Sequence, residues 1–170
     1  MKIYLLSDLH VEFHGNYPMP KSPVDVVVLA GDIDVGLGVL SVAEQYALRC
    51  KVPVIVVAGN HEYYHSDYLT MLPALRQRAA ELTNVYFLEK ESVVINGVRF
   101  LGSTLWSNFA FNGEDQIDNA KAAAQRFIAD FRVIEHGKKP FTPDDACAEF
   151  EASYQWLDEA LAEPFEGDTV

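Results

Sequence analysis

Cysteine is scarce: Cys50 and Cys147 are the only two in 170 residues, and neither belongs to a C-x-x-C pair. Two distant thiols are read most simply as free cysteines of a reducing compartment, so the cytoplasm is the expected location. Positive charge is thin as well. Thirteen Lys and Arg face 25 Asp and Glu, a formal charge of −12. That balance argues against nucleic acid as a partner, because backbone binding needs a Lys and Arg footprint. No apolar run approaches the roughly 18 residues of a membrane span, so no membrane partner is expected. Asp8 and His10 interrupt the apolar amino terminus too early for a signal peptide. A glycine-rich G-x-x-x-x-G-K-[ST] phosphate loop is missing, which counts against a mononucleotide-binding domain. Repeats, low-complexity stretches and linkers are absent too, and one domain over residues 1–170 is expected.

What is present is polar chemistry at the ends of apolar runs. Residues 1–7 (MKIYLLS), 24–30 (VDVVVLA) and 53–58 (PVIVVA) are short β-branched and aliphatic segments of the kind that form buried parallel strands. The first is followed by Asp8-Leu9-His10, the second by Gly31-Asp32 and the third by Gly59-Asn60-His61-Glu62. Open α/β sheets bind ligands outside the carboxyl ends of their strands. If strand geometry persists, Asp8 and His10 project to one face, where a carboxylate and an imidazole begin a metal site. Asn60 offers a neutral carbonyl oxygen, and His61 a proton for a leaving alkoxide. Each motif has a plain structural reading on its own: a hydrated strand end, an aspartate that starts a turn or caps a helix, a loop with a helix-starting Glu62. Three in series at one sheet edge exceed what core packing requires.

D-x-H, then G-D, then G-N-H-E, each behind a strand, resembles the calcineurin-like metallophosphoesterase superfamily. The resemblance implies an α/β fold of two packed mixed β-sheets flanked by helices, a four-layer α/β/β/α sandwich. It implies a hydrolase of phosphate monoesters or diesters with two divalent metal ions, drawn from Mn, Fe, Zn, Ni and Co. Asp8 and His10 would hold one ion, Asp32 would bridge both, and Asn60 would hold the second. A metal-activated hydroxide would attack in line, and His61 would be the general acid. Two branches are disfavoured. Protein phosphatases carry G-D-x-V-D-R-G, whereas residues 31–36 read GDIDVG, and the lipid-precursor branch tends to carry Asn-Arg-Asp where Asn60-His61-Glu62 stands.

The superfamily pattern continues with three more histidines, two of them in G-H-x-H. The five histidines here are at 10, 14, 61, 65 and 136, and none fills that pattern. His14 and His65 read as solvated loop residues. Residues 166–170 (EGDTV) read as a turn into a new strand, so the chain is expected to be truncated, lacking the fold's last strands. The second ion should then be held weakly and turnover should be low. The uncovered edge should make the chain a homodimer. The rival expectation is an inactive module that works by binding.

The remaining pattern is conventional. Segments 37–50 and 66–83 read as crossover helices, and 85–88 as a strand. Segments 92–95 and 98–101 flank Asn96-Gly97, a strong hairpin signal. A helix is expected over 115–130. Another follows the cap Thr142-Pro143-Asp144-Asp145, with Phe150, Tyr154, Leu157 and Leu161 as its core stripe. Trp106, Phe109 and Phe111, and likewise Tyr63 and Tyr64, are expected to be satellite packing more than a substrate wall.

Overall fold

The computed structural model describes residues 1–15 and 17–170. The three apolar runs form β1 (Ile3–Leu6), β2 (Val26–Ala30) and β3 (Val54–Val57), and β4 (Val85–Phe87) completes a sheet in sequence order. All three pairings are parallel. Parallel neighbours cannot be joined by a tight turn and need a crossover. A single helical turn, α1 (Val11–His14), follows β1, while α2 (Gly38–Cys50) and α3 (Tyr68–Ala80) carry the chain to β3 and β4. Asp67 starts α3 by accepting from the Leu69 amide at 2.9 Å, which satisfies one orphan donor of the first turn.

β5 (Glu91–Ile95) and β6 (Val98–Gly102) make an antiparallel hairpin. Asn96 and Gly97 both have positive φ, 49° and 78°, as a two-residue turn matched to strand twist demands. Residues 168–170 then run parallel to β6, with Arg99 N donating to Asp168 O at 2.9 Å and Leu101 N to Val170 O at 2.8 Å. The larger sheet is therefore wholly parallel, and the smaller one has mixed sense.

Alternation along the strands builds two cores. Val27 and Leu29 of β2 and Val54 and Val56 of β3 pack with Val39, Leu40, Ala43 and Leu75 of the helices. Val26 and Ile55 face the other way, onto Leu88, Ile95 and Phe100. Fully burying each large aliphatic contributes roughly 1.5–3 kcal/mol. Ile3 and Leu5 share the face of Val26 and Val28 by register, yet they remain 39% and 64% exposed. The hairpin covers β2 and β3 and leaves that face of β1 open.

Two expectations need correction. The helix expected over 115–130 stops early: α4 (Ile117–Phe127) ends at an extended Ile128, and α5 (Asp130–Val133) begins a separate turn. That break lets Asp130 turn inward. α6 (Pro143–Ala162) has its capping box, with Thr142 and Asp145 bonding each other's backbone amides. Its stripe is only partly covered, however: Phe150 and Leu157 are half-buried, and Tyr154 and Leu161 are 59% and 60% exposed. The buried face carries Pro143, Ala146 and Ser153. Ser153 Oγ bonds Ser103 Oγ at 2.8 Å and Thr104 O at 3.0 Å, so polar contacts to the end of β6 dock the helix and leave Tyr154 outside.

Candidate metal centre

Strand geometry does not persist through Asp8-Leu9-His10. β1 ends at Leu6, and Asp8, His10 and Asp32 all have left-handed backbones, with φ of 55°, 45° and 54°. Non-glycine residues take this conformation rarely and at a cost, and such strain clusters at functional sites. Pairing beyond the strands maintains it. Asp8 N donates to Gly31 O at 3.1 Å, His10 N to Asp32 O at 3.0 Å and Val11 N to Ile33 O at 2.8 Å. The bent path succeeds where an extended one was expected: ligand atoms of Asp8, His10 and Asp32 lie within 4.8 Å of one another.

The glycines bring the strand exits together. Gly31 has φ +90°, and a Cβ there would sit 3.0 Å from the backbone of Gly59; a Cβ on Gly59 would collide with Asp32 Oδ1. Glu62 then clamps the two loops. Its carboxylate, fully buried, accepts from Gly59 N at 2.7 Å, Ile33 N at 2.9 Å and Asp32 N at 3.1 Å. Burial pushes the Glu62 carboxyl up from its ordinary value, and the three amides pull against that shift without cancelling it. Glu62 thus opens no helix of consequence. It fixes the spacing between the G-D and G-N-H-E motifs.

His61 donates its backbone N–H to Asp32 Oδ1 at 3.0 Å. Its ring meets His10 edge-on with centroids 4.3 Å apart, and stacks on Tyr64 at 4.1 Å. Glu12, on α1, holds both imidazoles: Oε1 lies 2.8 Å from His61 Nδ1 and 3.3 Å from His10 Nδ1. Burial raises the Glu12 carboxyl, but hydrogen bonds from His61, its own backbone and His10 outweigh burial and leave it lowered. An ionised carboxylate only accepts, so His61 Nδ1 carries a proton. Among the described residues Glu12 Oε2 is buried with no partner.

Asn60, Asp8 and Asp32 line a cavity of about 590 Å³ with Asp130, Thr104 and Trp106. Asn60 Nδ2 donates to Asp130 Oδ1 at 2.8 Å, and so does the Tyr64 hydroxyl at 2.8 Å. Burial first and the Asp130 carboxylate second push the Tyr64 hydroxyl above the usual phenol range, so it remains a donor. Trp106 divides its contacts: it lines the cavity and packs on Phe141 at 4.7 Å between centroids. Phe111 is 99% exposed and touches neither. His14 and His65 are exposed, and His136 lies against Tyr68 and Phe141.

All five residues singled out from the sequence, Asp8, His10, Asp32, Asn60 and His61, meet at this one edge. The sequence marks neither Glu12 nor Asp130, and it marks Glu62 only as a helix start and Tyr64 only as packing. Glu12 follows His10 at the same two-residue interval that separates Asp8 from His10, and Glu62 stands inside the motif. Asp130 carries no local signal. Two carboxylates, an imidazole and a neutral amide suit a divalent cation of borderline hardness, and an orphaned carboxylate oxygen beside them fits a centre built to hold positive charge.

A family model described as calcineurin-like phosphoesterase matches residues 1–165. An uncharacterised protein of Acanthamoeba polyphaga mimivirus is 25% identical over 136 residues, covering 68% of this chain and 48% of that protein. The chain thus spans about half the length of that curated relative. The crystal structure of a phosphopantetheinyl hydrolase from Mycobacterium tuberculosis superposes with a TM-score of 0.70 at 20% identity, over 99% of this chain and 66% of that one. That likeness shows a shared fold. Strand-end motifs, sheet order and the match along nearly the whole chain agree, and the chain belongs to the calcineurin-like phosphoesterase family.

Proposed function

We propose that this chain carries the metal centre of a phosphate-ester hydrolase, with Asp8, His10, Asp32 and Asn60 as ligands and His61 as general acid. The observation that carries the reading is the meeting of Asp8, His10 and Asp32 within 4.8 Å on left-handed backbone. Divalent cations, when bound, supply Lewis-acid charge to a phosphoryl oxygen and acidify water. The chain does the rest. Asp32 joins the two halves of the centre, because it is within reach of Asp8 and His10 while its Oδ1 meets the loop that bears Asn60. As a general acid His61 acts as the imidazolium: Glu12 accepts from Nδ1–H and orients the ring, and Nε2–H passes its proton to the departing oxygen. The cavity beside Thr104 and Trp106 receives the ester.

The first ion has three side chains from this chain, the second only Asp32 and Asn60. Calorimetric titration with Mn²⁺ or Zn²⁺ should therefore give one tight and one weaker event, and Asp32→Ala should remove both. Hydrolysis of an aryl phosphate ester should follow the occupancy of the weaker site. A protein that binds a single ion and hydrolyses nothing would favour the rival reading, a family member that works by binding. We also propose that the open face of β1 pairs two copies of the chain.

A further inference from the structure

Among the described residues Asp130 is the one acidic side chain of the cavity wall that arrives from outside the three strand-end motifs. It opens α5, is 8% exposed and reaches Asn60 across 70 residues of sequence. One oxygen, Oδ1, takes both the Asn60 Nδ2 donor and the Tyr64 hydroxyl, each at 2.8 Å, and the same Asn60 nitrogen lies 3.2 Å from the Tyr64 oxygen. Among the described residues no Lys or Arg pairs with it. A buried carboxylate held only by neutral donors is costly, and its position is the reason to keep it.

An amide has two unlike ends, and only its oxygen meets a cation. A carboxylate accepts only, so the Asn60 nitrogen turns to Asp130 and the oxygen is committed to the opposite side. The reverse flip would set Asn60 Oδ1 against a carboxylate oxygen. Tyr64 extends the hold, since its ring lies on the His61 imidazole with planes 24° apart. We propose that Asp130 is a positioning residue for both halves of the chemistry: it sets the flip of the Asn60 amide directly and the plane of the His61 ring through Tyr64. The proposal rests on the reading of Asn60 as a ligand.

Four variants of the full chain test it, with Mn²⁺ affinity and the Asn60 side-chain amide NMR signals as readouts. Asp130→Ala should weaken the second ion about 10–100-fold, as loss of an outer-shell partner does, and should move the metal-free Asn60 amide signals to their solvated positions. Asn60→Asp should bind poorly, with two carboxylates facing each other. The exchange N60D/D130N should recover much of that loss, because the amide now on α5 would donate to one oxygen of the carboxylate now on the G-N-H-E loop and leave the other for the cation. A merely structural Asp130 gives no such recovery. Asn60→Ala separates the two ideas: unchanged Mn²⁺ binding there rejects Asn60 as a ligand, while the amide signals still judge Asp130. Unmoved signals in Asp130→Ala, or an exchange no better than Asn60→Asp alone, would overturn the proposal. If Asp130→Ala does not fold, the exchange pair and the wild-type Asn60 amide, expected to be protected from solvent exchange, decide it.

Discussion

Gly31 and Gly59 set the distance between the two loops that carry Asp32 and Asn60, so a single methyl is a sharp probe. At Gly31 the added Cβ meets the Gly59 backbone and a φ of +90° at once. Gly31→Ala should cost about 1–3 kcal/mol from backbone strain alone, read as a lower denaturation midpoint, and should weaken metal binding more than its stability loss explains. Glu12 is probed differently. Since Glu12 Oε1 accepts from His61 Nδ1, Glu12→Gln should exchange a charged acceptor for a neutral amide and loosen the His61 ring, visible in the imidazole nitrogen shifts. Esters with poor leaving groups should then be cleaved more slowly, while a nitrophenyl ester, which needs little protonation, should be nearly unaffected. Equal loss on both esters would mean that Glu12 serves His10 instead.

The loop that forms the far wall of the cavity depends on how α6 is docked. Glu89 is wholly buried and accepts from Thr104 N at 2.8 Å, Thr104 Oγ1 at 2.6 Å and Lys90 Nζ at 2.7 Å. Lys90 also reaches Glu149 of α6 at 3.2 Å. Removing one partner of such a network strands the others, at roughly 3–5 kcal/mol, so Glu89→Ala should be far more damaging than Thr142→Ala, a lost cap worth about 1 kcal/mol. Chemical denaturation of the two variants measures the difference. Burial lowers the Lys90 ammonium, but its bonds and charge interactions with Glu89 and Glu149 outweigh burial and leave it raised. A raised lysine stabilises the fold fully below its unfolded value and loses that contribution as pH climbs through the folded one. Stability should thus fall in the alkaline range above about pH 10.4, and Lys90→Met should flatten that limb.

At the scale of the molecule, charge and apolar surface compete. The formal charge of −12 repels a second copy, while Ile3 and Leu5 offer an open apolar strip on the edge strand of the larger sheet. Added salt screens the repulsion within about a nanometre and leaves the apolar attraction. Light scattering should give twice the 19.0 kDa chain mass, with association strengthening as salt rises, and Leu5→Glu should return the monomer. A wild-type monomer at both low and high salt would sink the idea. No helix among the described residues is long and apolar enough to cross a membrane.

Much was legible in the chain itself, for local reasons. Three β-branched runs, the Asn96-Gly97 turn and the Thr142 cap each act within a few residues, and parallel strands place whatever follows them at one edge. Asp8, His10, Asp32, Asn60 and His61 could therefore be gathered from order alone. Their path could not. The left-handed backbones at Asp8, His10 and Asp32 exist because the two strand exits stay paired, and Glu62 and Asp130 act on partners about 30 and 70 residues away. The same distance explains the misread stripe on α6, whose periodicity is real but whose inward face was chosen by Ser153 and the loop it meets. Periodicity says that a helix has a face, and only the surface packed against it decides which face is buried.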